Sequence, residues 1–195
     1  MMNLQKLVLI TVMFYFSLQM YAPIMAKSLN TQVVGKINSY ESGLKSFLDT
    51  LAFFETKDST YYPYNGFKSP WTVVNSKGAK GRWQLMPIAL EDIGYKGTVK
   101  EFLNSRELQR ECVIKVMKRN ELYIKYYIPD YEKYIGKERF GVKVTFSGML
   151  AASHLAGIGG LKEFLKRGYN ATDGNESVRS YLHKLQGYEL WEMVR

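Results

Sequence analysis

An apolar stripe at helical spacing ends on an acid in the first third of the chain. The stretch from Ser42 to Glu55 has apolar side chains three and four residues apart: Leu44, Phe47, Leu48, Leu51 and Ala52. This pattern predicts an amphipathic helix with one face toward a core. Glu55 continues the same face, where lost hydration would disfavour its charged form. A carboxyl that keeps its proton near neutral pH can protonate a leaving group, so Glu55 is the first candidate for chemistry. A Glu that pairs with an arginine or caps a neighbouring helix is the structural alternative.

Length and charge favour a single basic domain. A chain of 195 residues with 46% apolar residues can bury a substantial core in one domain. Its 27 basic and 18 acidic residues give a net charge of +9, which would draw the protein to anionic polymers or membrane surfaces. The basic residues form no compact run and match no nucleic-acid-binding motif, so nucleic acid is not an expected partner.

The first 26 residues resemble a targeting segment. Lys6 is their only charge, an apolar run from Leu7 to Leu18 follows, and the segment ends at the small residue Ala26. This predicts a secretory signal peptide over residues 1–26, a mature domain over residues 27–195, and a periplasmic or secreted location. An uncleaved membrane anchor over Leu7–Ala26 is the alternative.

Cysteine and histidine are scarce. Cys112 is the single cysteine, which excludes an intrachain disulfide, and it lies in an apolar helical pattern typical of a buried small hydrophobe. His154 and His183 are the only histidines and neither has a ligand-like neighbour. We therefore expect no metal and no cofactor.

The remaining pattern is mostly helical. A polar lead-in over residues 27–41 precedes the Glu55 helix, and a long aromatic-rich loop over residues 56–80 follows it. Further helices are expected at Pro87–Gly94, Arg106–Tyr127, Phe146–Ala156, Leu161–Lys166 and from an Asn175 cap to Gly187, with strand-like pieces only at Val73–Val74 and Val142–Val144. The expected fold is mainly α, with at most a small β element.

A glycine turn precedes the Pro87 helix. Gly78 and Gly81 permit a tight turn and a close backbone approach. Gln84 follows and offers both a donor and an acceptor, which suits an N-acetyl group or hydroxyls. Alternatively, the segment is a plain turn into the helix with Gln84 at the surface.

These segments resemble a known family. The signature of lytic transglycosylases in the lysozyme-like superfamily is similar to two pieces of this chain: Glu55-Thr56 and Ser76-Lys77-Gly78-Ala79-Lys80-Gly81-Arg82-Trp83-Gln84-Leu85-Met86-Pro87. Ala151–Gly160 stands where the family carries an Ala-Tyr-Asn-Ala-Gly stretch on a buried helix, and the likeness spans roughly residues 44–165. The chain departs from the family at Thr56 for Ser, at Arg82-Trp83 for Leu-Met, at His154-Leu155 for Tyr-Asn, and in its longer loop.

The resemblance implies a lysozyme-like domain that cleaves the β-1,4 bond between N-acetylmuramic acid and N-acetylglucosamine in peptidoglycan. Glu55 would be the catalytic acid and base, and the substrate-binding residues would be Gln84, Met86, Ser76, His154 and Tyr62. For His154, a core histidine bonded to backbone is an equally good interpretation. The implied partners are peptidoglycan strands and a secretion or conjugation machine; a monomer is assumed.

Two further functions remain open at this point. Ordinary glycoside hydrolysis usually needs a second carboxylate, and neither Asp58 nor Asp49 has a convincing spacing from Glu55. This mildly favours transglycosylation over a lysozyme-type hydrolase or a secreted antibacterial effector. A non-catalytic wall-binding module that keeps the fold is the third reading.

Overall fold

The first helix is longer than the sequence pattern indicated. The computed structural model describes residues 34–56 and 69–190, and residues 34–56 are all helical (α1). Residues 34–41, expected as part of a polar lead-in, therefore belong to the helix. The described residues from Gly43 onward form one compact unit, whereas residues 34–42 lie in a second unit. The predicted stripe is confirmed, because all five of its members are buried: Leu44, Phe47, Leu48, Leu51 and Ala52.

The described chain is mainly helical with a small β element, as predicted, and the β element consists of two antiparallel hairpins. The elements that follow α1 are the 3-10 turn Pro70–Thr72, α2 (Pro87–Asp92), α3 (Val99–Asn104), α4 (Arg106–Tyr127), the 3-10 turn Tyr131–Tyr134, β1 (Glu138–Arg139), β2 (Val142–Lys143), α5 (Phe146–Arg167), β3 (Thr172–Asp173), β4 (Glu176–Ser177) and α6 (Val178–Lys184). Strand β1 pairs with β2, and β3 pairs with β4.

Polar caps fix where the later helices begin. Thr145 accepts a hydrogen bond from the Gly148 backbone at the start of α5. Ser177, rather than the predicted Asn175, caps α6 through a reciprocal capping box with Ser180. The Asn175 prediction was wrong because the β4 strand separates that residue from the helix.

Helix α5 is the centre of the core. It packs against both α4 and α6, and Met149, Leu150, Ala151 and Ala152 are fully buried. The helix bends at Gly157, where φ is 67° and ψ is 174°. The expected helices Phe146–Ala156 and Leu161–Lys166 are therefore two parts of one bent helix, and Gly159 and Gly160 lie within its second part. No helix within residues 34–56 and 69–190 combines the length and the hydropathy that a membrane span requires.

The small β element differs in its positions from the strand-like pieces that the sequence indicated. Val142 lies in β2 as predicted, but Val74 forms only an isolated bridge with Lys80. The β3–β4 hairpin was missed because its four residues are polar and exposed or half-buried, without the alternation that marks a strand.

Cys112 is buried as a small hydrophobe, and burial raises the pKa of its thiol. The proposed leader over residues 1–26 lies outside the described residues.

Candidate active site

Glu55 occupies the last turn of α1, with its carboxyl mostly withdrawn from solvent. The side chain is 14% exposed, so it reaches a surface while most of it is covered by protein. This placement agrees with the sequence prediction of an acid that continues the apolar face of the helix. The structure thus provides a partly desolvated carboxyl at the end of a rigid element.

Tyr181 donates a hydrogen bond to this carboxyl. Its hydroxyl lies 2.9 Å from Oε1 of Glu55, although the two residues are far apart in sequence. Burial and the nearby Glu55 carboxyl both raise the pKa of Tyr181, which therefore remains a protonated donor at neutral pH. The apolar residues at helical spacing in α6, Val178, Tyr181, Leu182 and Leu185, indicate only that Tyr181 is in the core. A clue was nevertheless present, because a buried tyrosine hydroxyl usually requires a partner.

His154 lies beside the same carboxyl oxygen. Its Nε2 atom is 3.0 Å from the Trp83 carbonyl oxygen and 3.4 Å from Oε1 of Glu55. Since a carbonyl can only accept, Nε2 carries the hydrogen and donates it to Trp83. Burial lowers the pKa of His154 from 6.5 to about 4, so the ring is neutral at pH 7. His154 and Glu55 are therefore close neighbours and not an ion pair at that pH.

The segment 80–85 forms a tight two-stranded turn. Lys80 and Leu85 exchange two backbone hydrogen bonds of 3.0 and 2.9 Å across it. Gln84 has a left-handed backbone with φ of 45°, an uncommon conformation for a residue other than glycine. Both its backbone nitrogen and its Nε2 donate to the Gly81 carbonyl oxygen. Gln84 is 8% exposed, so the interpretation of a plain surface glutamine was wrong.

Two polar side chains fasten this turn to the helices around it. The Thr56 hydroxyl donates to the Ala52 carbonyl at 3.0 Å and also lies 3.4 Å from the Arg82 carbonyl. The fully buried Gln109 of α4 accepts from the Arg82 backbone nitrogen at 3.0 Å. These contacts join the turn to the end of α1, close to Glu55, and to α4.

Gln109 also explains why position 81 needs glycine. Its Nε2 donates to the carbonyls of Trp71 and Phe102, so the side chain is held on both sides. A Cβ at Gly81 would overlap Oε1 of Gln109, and the backbone there has φ of +71°. The glycine turn predicted from sequence is thus required both by conformation and by close packing.

The other predicted site residues are distributed unevenly. The structure brings Glu55 and His154 together, with Gln84 one residue beyond the Trp83 carbonyl that His154 contacts. Ser76 is exposed in the preceding turn and Met86, at the start of α2, is 39% exposed. Tyr62 lies outside the described residues.

The structure gives Asp49 a different role from that of a second catalytic carboxylate. Its carboxylate pairs with Lys45 at 2.8 Å and with Arg82 at 3.1 Å. At about 3.6 residues per turn, Asp49 and Glu55 point about 120° apart around α1. Asp58 lies outside the described residues. Within residues 34–56 and 69–190, no group of three or more potential ligands could hold a metal ion.

No family model, curated protein or solved structure matches this chain. The functional assignment therefore depends on the residues of this chain and on the contacts they make.

Proposed function

We propose that this protein is an exported lytic transglycosylase that cleaves peptidoglycan between N-acetylmuramic acid and N-acetylglucosamine. The observation that carries the proposal is the placement of Glu55. Its mostly buried carboxyl accepts a hydrogen bond from the Tyr181 hydroxyl and lies beside the neutral ring of His154. The glycine turn contains Gln84, which is buried and has a left-handed backbone conformation. This turn is the second segment that resembles the lytic transglycosylase signature. Wall glycan strands in the periplasm or outside the cell are the proposed partner.

The reaction begins with proton transfer from Glu55 to the glycosidic oxygen. Since Oε1 accepts the Tyr181 hydroxyl, we assign the transferable proton to Oε2. The bond between C1 and the protonated oxygen breaks, its electron pair leaves with that oxygen, and positive charge develops at C1. The 6-hydroxyl of the same muramyl residue then bonds to C1 and returns its proton to Glu55. An anhydro sugar forms, the acid is regenerated, and no second carboxylate is needed.

Tyr181 and His154 act as positioning residues in this scheme. The Tyr181 hydroxyl holds the carboxyl in place and favours its ionised form after the first proton transfer. His154 donates its Nε2 hydrogen to the Trp83 carbonyl. This hydrogen bond joins α5 to the turn that contains Gln84. A neutral His154 leaves Glu55 as the proton carrier at neutral pH.

The test compares three proteins on purified sacculi: wild type, Glu55→Gln and Glu111→Gln. Glu111 is an exposed acid on α4 and serves as the matched control. We expect Glu55→Gln to lower cleavage by about 10²-fold or more, because removal of a general acid has effects of this size. Glu111→Gln should cleave like wild type, and circular dichroism should show all three folded.

Mass spectrometry of the products separates the alternatives. Anhydro ends support transglycosylation, whereas reducing ends identify a lysozyme-type hydrolase. Undiminished cleavage by Glu55→Gln would remove Glu55 from its role. Wall binding without cleavage by the wild type would identify a non-catalytic module.

A further inference from the structure

A concave site lies on a different face of α1 from Glu55. It is a cavity of about 740 Å³ whose lining includes Asp49 and Phe53 from α1, with Glu55 not among the lining residues. Cavities of roughly 300–1,000 Å³ are typical of sites for small organic ligands. The cavity is therefore large enough for a ligand of its own.

Aromatic rings form one wall of this cavity. Trp71 and Trp83 meet edge to face, with ring centroids 5.6 Å apart. The indole nitrogen of Trp83 donates to the Leu48 carbonyl at 2.7 Å, which fixes this ring against α1. Phe53 adds a further ring to the lining. Such a wall offers a rigid apolar surface to a ligand.

The two residues Arg82-Trp83, at which the chain departs from the resembled signature, both contribute to this cavity. The Arg82 guanidinium lies 5.1 Å from the ring centroids of both Trp71 and Trp83. It also pairs with Asp49, whose carboxylate it shares with Lys45, and its side chain is held in place by this pairing. Arg82 thus completes the wall and leaves anion binding to other residues.

Two arginines of α4 are available at the mouth of the cavity. Arg106 and Arg110 are exposed lining residues one helical turn apart, and within the described parts of the chain neither forms an ion pair. The Arg106 guanidinium is placed 5.3 Å from the Trp71 ring. Guanidinium groups present paired donors that match the two oxygens of a carboxylate. Glu107 lies between them in sequence, and the lining as a whole has four cations (Lys45, Arg82, Arg106, Arg110) against two acids (Asp49, Glu107), a net positive charge that favours an anionic ligand.

We propose that this cavity binds a carboxylate-bearing stem peptide of peptidoglycan. The carboxylate would meet Arg106 and Arg110, and the apolar part of the peptide would lie against Phe53 and Trp71. The choice of a stem peptide depends on the proposed function, because the peptide is attached to the glycan that Glu55 would cleave.

The test titrates the protein with a sugar-free stem tetrapeptide that has free carboxylates. Binding is monitored by intrinsic tryptophan fluorescence, because two of the three tryptophans line the cavity. We expect saturable binding, and we expect the same peptide with amidated carboxylates to bind at least about tenfold more weakly. Arg106→Gln and Arg110→Gln should each weaken binding about tenfold. Lys118→Gln, an exposed cation on α4 outside the cavity lining, should have no effect.

Three outcomes would overturn this inference: no binding, equal binding of acid and amide, or full affinity in both arginine variants. Tighter binding of inorganic phosphate than of the peptide would overturn the carboxylate assignment. Since the peptide contains no glycosidic bond, its binding is independent of catalysis. Cleavage without peptide binding would therefore refute only the cavity, and peptide binding without cleavage would refute only the proposed function.

Discussion

The buried neutral His154 predicts how the stability of this protein depends on pH. Its pKa is lowered from 6.5 to about 4, mainly because burial disfavours the charged ring. Between these two values the unfolded chain binds a proton at this position and the folded chain does not. Stability must therefore fall as pH decreases from 6.5 toward 4, since protons favour the unfolded state.

The size of this effect follows from the two pKa values. At pH 5 the unfolded ring is almost fully protonated, whereas the folded ring is mostly neutral. The linkage relation gives about 2 kcal/mol of stability lost at pH 5 relative to pH 7 through this one residue. His154→Gln removes the ionisable group, and its amide can still donate to the Trp83 carbonyl.

The assay is urea unfolding of wild type, His154→Gln and His183→Gln at pH 7 and pH 5. His183 is exposed, so its variant is the matched control. We compare only the change in unfolding free energy between the two pH values, so that any difference in stability that is independent of pH cancels. The loss of unfolding free energy should be about 2 kcal/mol smaller in His154→Gln than in the other two proteins. An equal loss in all three would show that His154 titrates normally, and the description of a buried neutral ring would be wrong.

Three further predictions concern the carboxyl and the turn beside it. Tyr181→Phe keeps the ring but removes the hydroxyl that donates to Glu55, so turnover on sacculi should fall about tenfold or more. Wall binding in a pull-down should be unchanged, and turnover equal to wild type would contradict the positioning role. Gly81→Ala should lower the unfolding free energy by about 2–4 kcal/mol in urea, because it combines a left-handed backbone with overlap on Gln109. The control is Gly141→Ala, since Gly141 also has a positive φ but no atom within 4 Å of an added Cβ. This variant should lower the unfolding free energy by less than Gly81→Ala does. Gln109→Leu removes the hydrogen bonds that this side chain makes to the Arg82 nitrogen and to the Trp71 and Phe102 carbonyls, and should cost about 2–4 kcal/mol in the same assay. A neutral result would show that water replaces the amide.

Elements with strong periodicity were predictable from the sequence. The α1 stripe and the α4 helix from Arg106 to Tyr127 agree with the structure because a buried face repeats at the helical period. The same reasoning placed Glu55 against the core. It missed α3, a six-residue helix at Val99–Asn104 that is too short to show a period but carries a Thr98 capping box.

Long-range polar contacts were beyond the reach of the sequence pattern. Spacing along one helix cannot show that Tyr181 meets a carboxyl 126 residues earlier, since that contact depends on how α6 packs against α5 and the rest of the core. The burial of Gln109 was missed for a related reason: an amide is expected at the surface unless its backbone partners in other segments are known.

The bend at Gly157 has a consequence for recognising distant relatives of this chain. Its φ of 67° and ψ of 174° lie in a region that is essentially restricted to glycine, although a Cβ there would meet no atom within 4 Å. Selection at this position would therefore act on the main chain alone, and every homologue that retains the bent α5 should keep a glycine there even where the surrounding side chains have diverged.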